Sequence, residues 1–300
     1  MESTVKSVRR ITAIGMALNL ALSLAKAAVG TVCSSQALVA DALHSLSDLA
    51  TDFAVIFGVR YWEAPADENH PYGHGKIQAL VTLFIALMLM LVVWKLATGA
   101  VASFCRGPEM SPGWEALMLA LASIVVKEAL YRATNRVAVK TNTPALRANA
   151  WHHRSDALSS IPVAAAVALA HFFPFMWWAD PAGALAVAVF IAILAWEIAR
   201  PALQELIDAQ IDSKSADVER IALSVAGVSS VHCCRARRYG GAFQADLHIQ
   251  VDSSLSIVEA HRIAHRVEDA VTAAGIGVVD ATIHVEPALG GRKGTGEITL

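Results

Sequence analysis

Long apolar runs separated by short polar loops fill the first two thirds of the chain, and a shorter amphipathic rhythm fills the last third. A membrane-spanning helix needs about 20 mainly apolar residues. Six segments meet that length, at about 11–32, 37–61, 77–104, 114–137, 147–173 and 177–199. After about residue 210 the pattern changes. "SKSADVERIALSVAGV" has helical periodicity. "SSVHCCRARRYG" and "AFQADLHIQVD" read as strands joined by a turn at Gly240–Gly241. In the second, Ala245, Leu247, Ile249 and Val251 alternate with Gln244, Asp246, His248 and Gln250, the period of a half-buried strand. "SLSIVEAHRIAHRVEDAVTAAG" is a further helix, with Ser256 as its cap and Glu259 placed to complete a capping box. "VDATIHVEP" is a third strand. The expected fold is a polytopic α-helical membrane protein with six transmembrane helices, plus a small α+β domain of order αββαβ. The expected boundaries are 1–209 for the transmembrane domain, 210–288 for the C-terminal domain and 289–300 for a disordered tail.

Composition supports a membrane protein. Of 300 residues, 55% are hydrophobic and 17% charged, where a soluble protein carries about 25% charged. The net charge of −2 leaves no electrostatic footprint for nucleic acid. The start of the chain is charged and runs into a full-length apolar segment without a small-residue cleavage pattern, so no cleavable signal peptide is expected. Lys6, Arg9 and Arg10 precede the first span, Arg60 and Lys76 bracket the loop after the second, Arg132, Arg136, Lys140 and Arg147 cluster between the fourth and fifth, and Arg200 ends the sixth. The loops on the other side hold one arginine between them. This bias predicts that both termini are cytoplasmic, with Trp177 and Trp178 in the interfacial belt of the far side. Four cysteines, Cys33, Cys105, Cys233 and Cys234, make no CxxC pair, and the Cys233–Cys234 neighbours read as strand residues rather than ligands.

Charges inside the apolar helices carry the chemistry. His44 and Asp48 lie in "ADALHSLSD", and His152 and Asp156 in "WHHRSD". Both pairs have i, i+4 spacing, which puts each pair on one helix face. An ionisable group at a helix centre costs about 2.5–3.5 kcal/mol on insertion scales, so such groups face a cavity, a partner or a substrate. Two imidazoles and two carboxylates are enough for a closed tetrahedral site, which favours Zn²⁺; Mn²⁺, Fe²⁺ and Co²⁺ also accept mixed His/carboxylate sets. Metal entry must displace protons from the imidazoles, so the two fluxes couple. The plainer reading is a His–Asp hydrogen bond gluing two helices, and the repetition of the pair with identical spacing weighs against it. Asp41, Asp52 and His153 stand outside this core set, and Lys26, Lys95 and Lys127 are expected to snorkel or pair. In the loop after the second span, Asp67, His70 and His74 fall within eight residues. They are a candidate metal clasp or a polar turn shaped by Pro71 and Gly73. In the C-terminal domain, alternation puts His284 and Glu286 on one strand face and His248 on the polar face of its own strand. His232 lies on the first strand and His261 on the helix, with His265 one turn further on, accessory or simply exposed.

"ADALHSLSD", "PADENHPYGHGK", "ANAWHHRSDALSS" and the C-terminal histidine pattern together resemble the cation diffusion facilitator family, from about residue 8 to 288. The resemblance implies a dimeric, six-helix, proton-coupled exporter of divalent metal with a ferredoxin-like, metallochaperone-like cytoplasmic domain. It implies a transport site of His44, Asp48, His152 and Asp156, and a regulatory loop site of Asp67, His70 and His74. It also implies a Lys76–Asp208 charge interlock, and a binuclear zinc site of His232, His248, His261, His284 and Glu286 at the dimer interface. Glu286 departs from the aspartate of a familiar member. His44, where well-known bacterial iron and zinc members have aspartate and many zinc-selective members have histidine, leans toward Zn²⁺ and away from Cd²⁺. Likeness to magnetosome-associated iron members keeps Fe²⁺ and Mn²⁺ open. The expected function is export of Zn²⁺, or a similar ion, from the cytoplasm in exchange for protons. Metal at the cytoplasmic domain is expected to regulate it. The expected setting is a homodimer in the bilayer of the inner (plasma) membrane or of a specialised organelle. A membrane metalloenzyme would need an open coordination position, which four protein ligands do not leave. A non-transporting metal sensor or assembly factor has no need of the intramembrane pairs.

Overall fold

The computed structural model of the chain describes residues 2–107, 111–141 and 144–288, so the expected disordered tail at 289–300 lies outside the described residues. The chain forms two units, residues 1–57 with 83–199, and residues 58–82 with 200–300.

Six long helices coincide with the six apolar runs. They are α1 (Glu2–Val32), α2 (Gln36–Trp62), α3 (Lys76–Arg106), α4 (Trp114–Thr141), α5 (Pro144–Phe172) and α6 (Ala179–Leu206). Among the described residues, four stretches are long and apolar enough to cross a membrane: Arg10–Val32, Lys76–Arg106, Asn149–Phe172 and Pro174–Leu206. The other two helices carry charges spread along their length. α2 carries Asp41, Asp48 and Asp52, and α4 carries Lys127, Glu128, Arg132, Arg136 and Lys140. Small residues bring the helices of the first unit together. One cluster buries Ala37, Leu38, Ala116, Ala120, Val163 and Val167, and a second buries Ala40, Ala100, Ala184, Ala188, Ile191 and Ala195. At Gly183 a Cβ would lie 2.6 Å from the Ala166 Cβ, so only glycine permits that approach. Phe84, Trp94 and Val125 are exposed, as lipid-facing side chains are.

The start of α2 is capped across the fold. A helix N-terminus leaves backbone N–H groups without intrahelical partners. Asp180 of α6 accepts from the Gln36 N–H at 2.6 Å, the Ala37 N–H at 3.4 Å and the Ser35 hydroxyl at 2.6 Å.

The second unit holds α7 (Asp212–Leu223), β1 (Ser230–Tyr239), β2 (Ala242–Asp252), α8 (Ile257–Ala273) and β3 (Val278–Ala288), the expected αββαβ order. The strands lie in the order β1-β2-β3. β1 pairs antiparallel with β2, and β2 pairs parallel with β3, with α8 as the crossover. The four alternate β2 positions, Ala245, Leu247, Ile249 and Val251, are buried with Val218, Ile263, Val267 and Val271. The capping box forms in both halves: the Glu259 N–H donates to the Ser256 hydroxyl at 3.3 Å, and the Ser256 N–H donates to the Glu259 carboxylate at 2.9 Å. A bulge interrupts β1 between His232 and Arg235.

Candidate metal centres

In the first unit a cavity of about 280 Å³ is lined by His44, Asp48, His152 and Asp156, with Phe190 and Ile191 on its apolar wall. Donor atoms of His44, Asp48 and Asp156 lie within 4.8 Å of one another. The two pairs have the same separation but present different ring nitrogens, with His44 Nε2 3.9 Å from Asp48 Oδ2 and His152 Nδ1 3.9 Å from Asp156 Oδ1. His152 lines the same cavity but stands outside the tight group, and its side chain is 48% exposed. The His44 ring meets Phe190 edge to face at 5.6 Å. Asp48 Oδ2 is buried and has no hydrogen-bond partner among the described residues. A buried polar atom without a partner costs free energy, which a bound cation would offset.

Two lysines complete the electrostatics. Lys127 of α4 places Nζ 3.4 Å from Asp156 Oδ2 and donates to the Ser45 hydroxyl at 3.1 Å. Lys26, fully buried, meets Asp41 Oδ2 at 2.6 Å, and the Ser160 hydroxyl donates to the same carboxylate at 3.0 Å. Both lysines pair, as the sequence suggests, while Lys95 is exposed. Asp41 is thereby engaged and sits outside the donor group. His153 is buried, with its Nε2 3.2 Å from where a Cβ on Gly15 of α1 would lie. The Asp52 side chain is outside the described residues. Lys127 was expected to pair, but its place beside the site, against Asp156, was not foreseen. Its signal was a single cation within the apolar run "ALASIVVKEAL".

In the second unit the loop residues converge. Asp67 Oδ1 accepts from the Asn69 and His70 N–H groups at 2.9 and 2.7 Å and lies 3.1 Å from His70 Nδ1. These bonds, the His70 N–H first, hold the Asp67 carboxyl below the usual carboxylate range. His74 Nε2 is 3.5 Å from Asp67 Oδ2, and its Nδ1 is 3.2 Å from the Pro65 carbonyl oxygen. A proton on Nδ1 makes that last contact a hydrogen bond and leaves Nε2 with a free lone pair, the form that binds metal. All three residues offer donors within 4.8 Å, so the turn and the clasp are one geometry. Close by, Lys76 Nζ meets Asp208 Oδ1 at 3.0 Å, and Arg237 approaches the other carboxylate oxygen at 3.6 Å. Asp208 therefore has two cationic partners.

On the sheet, His232, His248 and His284 stand in one rank across the three strands. Glu286 binds them together, at 3.2 Å from His232 Nε2, 3.0 Å from His248 Nδ1 and 3.8 Å from His284 Nε2. Burial alone would raise the Glu286 carboxyl, but hydrogen bonds from His248 and Gln250 and the charges of the two histidines hold it below its ordinary value. His248, His284 and Glu286 form one donor group within 4.8 Å. His261 does not join it. Its Nε2 faces that of His265 at 3.1 Å, on the wall of a groove that Glu286 also lines. A second group brings together His232, Cys233 and His248. Both cysteines are strand residues, as expected, but they differ. Cys234 is half-buried and donates to the Ser215 carbonyl at 3.3 Å, and burial pushes its thiol up to about 11. Cys233 is exposed, at φ 51°, a left-handed conformation that costs a non-glycine residue about 1–2 kcal/mol.

Residues 12–207 match the cation efflux transmembrane domain, and residues 212–288 match the cation efflux protein cytoplasmic domain. The chain belongs to the cation efflux, or cation diffusion facilitator, family. This is a family of divalent-metal transporters, not of enzymes. Metal tolerance protein C1 of Arabidopsis thaliana is 33% identical over 93% of this chain and 62% of its own length, so the chain spans less than two thirds of that relative. Manganese efflux system protein MneP of Bacillus subtilis is 29% identical over 93% of this chain and 96% of its own. Magnetosome protein MamM of Magnetospirillum gryphiswaldense is 33% identical over 88% and 83%. A solved structure of the MamM CTD matches 25% of this chain and 95% of that one, at 29% identity and a TM-score of 0.25. Membership, with the apolar helices, makes this efflux protein a membrane protein with a helical transmembrane domain followed by a small α+β domain.

Proposed function

We propose that this efflux protein exports a divalent transition-metal ion from the cytoplasm in exchange for protons, with Zn²⁺ as its preferred cargo. One observation carries the reading: donors of His44, Asp48 and Asp156 converge on a cavity in the membrane unit, with His152 at the same cavity. Two imidazoles and two carboxylates suit Zn²⁺ at tetrahedral geometry. They remain compatible with Mn²⁺, which the likeness to a manganese efflux protein makes the competitor to test.

The cycle has three steps. Metal enters the deprotonated site from the cytoplasm, and its charge replaces the Lys127 ammonium as the partner of Asp156. The six helices, all of them membrane-crossing, rock to open the site outward. Protons then take the imidazole or carboxylate positions and expel the ion. We place both termini in the cytoplasm and take residues 1–209 as the transport domain and 210–288 as a cytoplasmic, dimer-forming regulatory domain. Metal held there by His232, His248, His284 and Glu286, with His261 closing in only after a shift of α8, would tighten the dimer and bias the transport equilibrium. The Asp67, His70 and His74 loop is a second regulatory site. The membrane is the inner or plasma membrane.

Flux of Zn²⁺ and Mn²⁺ into sealed vesicles carrying the purified protein tests cargo and site together. Zn²⁺ should outcompete Mn²⁺, and Asp48→Ala or Asp156→Ala should abolish flux while the protein still folds. Flux retained in either variant removes that residue from the site, and preference for Mn²⁺ overturns the choice of cargo.

A further inference from the structure

Adjacent residues on a regular strand point to opposite faces, so His232 and Cys233 should not share a ligand. The β1 bulge changes that. Register runs from His232 opposite His248 to Arg235 opposite Asp246, which leaves Cys233 and Cys234 facing the single residue Leu247. With Cys233 in the left-handed region, the chain turns its sulfur toward the histidine face, and its donor comes within 4.8 Å of those of His232 and His248. The neighbouring thiol goes the other way, into a hydrogen bond with the Ser215 carbonyl. The dipeptide is thus divided into a packed thiol and an exposed one beside two imidazoles 5.3 Å apart.

We propose that Cys233 is a metal ligand, forming with His232 and His248 a soft nitrogen–sulfur site for a thiophilic ion such as Zn²⁺ or Cd²⁺. The proposal rests on the reading of the C-terminal domain as metal-binding and adds a chemical preference to it. A thiolate selects soft and borderline ions and disfavours Mn²⁺ and Mg²⁺, whereas the adjoining His248, His284 and Glu286 group is harder. Three protein donors leave a tetrahedral position open, so exchange with the cytosol is not blocked. His248 belongs to both groups, so occupancy of the soft site and occupancy of the Glu286 site are linked through one imidazole. The domain would then distinguish ions by class, not only by concentration.

Co²⁺ titration of the reduced, full-length protein in detergent tests this. Sulfur ligation gives a ligand-to-metal charge-transfer band in the near ultraviolet, which nitrogen and oxygen ligands do not. The band should appear in the wild type and in Cys234→Ser, and disappear in Cys233→Ser and Cys233→Gly. Glycine suits the left-handed backbone at this position, so loss of the band there is not a folding defect. Cd²⁺ affinity at the domain should fall at least about tenfold in both Cys233 variants, with Mn²⁺ affinity unchanged. A wild type that binds Co²⁺ without the band, or a band that survives in Cys233→Gly, overturns the proposal. The intramembrane site contains no cysteine, so vesicle flux reports on the transport reading separately: flux without the band overturns only the thiol ligand, and the band without flux overturns only transport.

Discussion

Asp156 has one resident cationic partner and, in the proposed cycle, a transported one. Its resident partner is Lys127, buried with it at 3.4 Å. Removing one partner of a buried pair typically costs about 3–5 kcal/mol, because the other charge is left uncompensated. Lys127→Met should therefore lower the thermal midpoint of the metal-free protein. Added Zn²⁺ should then raise that midpoint more than in the wild type, since the ion alone neutralises the carboxylate. Equal Zn²⁺-induced shifts in the two proteins would show that lysine and ion do not compete. That His44, Asp48, His152 and Asp156 line one cavity was foreshadowed because charge in an apolar helix is costly and i, i+4 spacing is visible in one segment. Lys127 broke the same rule, but its partner lies on another helix, 29 residues away, and periodicity within a segment cannot show that. Cys233 was hidden for the opposite reason. The alternation rule that correctly places Ala245, Leu247, Ile249 and Val251 in the core assigns Cys233 to the wrong face, because no local signal announces a bulge at a non-glycine residue.

Helix ends divide in the same way into local and distant devices. The α8 cap is local, with Ser256 and Glu259 three residues apart, and is legible in the sequence. Ser256→Ala should destabilise the second unit by about 1 kcal/mol, measured by denaturant midpoint. The Glu259 carboxyl is held below its ordinary 4.5 by the Ser256 hydroxyl and N–H. A depressed folded value means that this contribution is present in full above the ordinary range and is lost as pH falls through the folded value. Amides in the first turn of α8 should therefore lose hydrogen-exchange protection on acidification in the wild type, and Glu259→Gln should flatten that response. The α2 cap is distant, since Asp180 and Gln36 are 144 residues apart, and it was not legible. Asp180→Ala removes the acceptor of a hydroxyl and two N–H groups. It should cost about 1–3 kcal/mol, read as a lowered thermal midpoint in detergent; a change within error would mean that water replaces the carboxylate.

Across the whole molecule, the change of rhythm near residue 210 separates the long apolar helices from the αββαβ elements, because the hydrophobic period changes there, whereas the grouping of residues 58–82 and 200–209 with the second unit was not legible. What remained outside sequence reasoning was which helices approach which. The bundle depends on alanine and glycine contacts such as Gly183 against Ala166, and small residues carry little periodic signal. Those contacts bring half-sites on α2 and α5 to one cavity, and that convergence is the basis of the central claim. The most direct measurement records metal and proton movement together, in sealed vesicles loaded with a pH-sensitive dye and given external Zn²⁺. The account predicts that Zn²⁺ entry and proton exit rise together in the wild type, that collapse of the pH gradient slows Zn²⁺ entry, and that both fluxes vanish in Asp48→Ala. Zn²⁺ entry with no accompanying proton movement, or coupled flux that persists in Asp48→Ala, would contradict it.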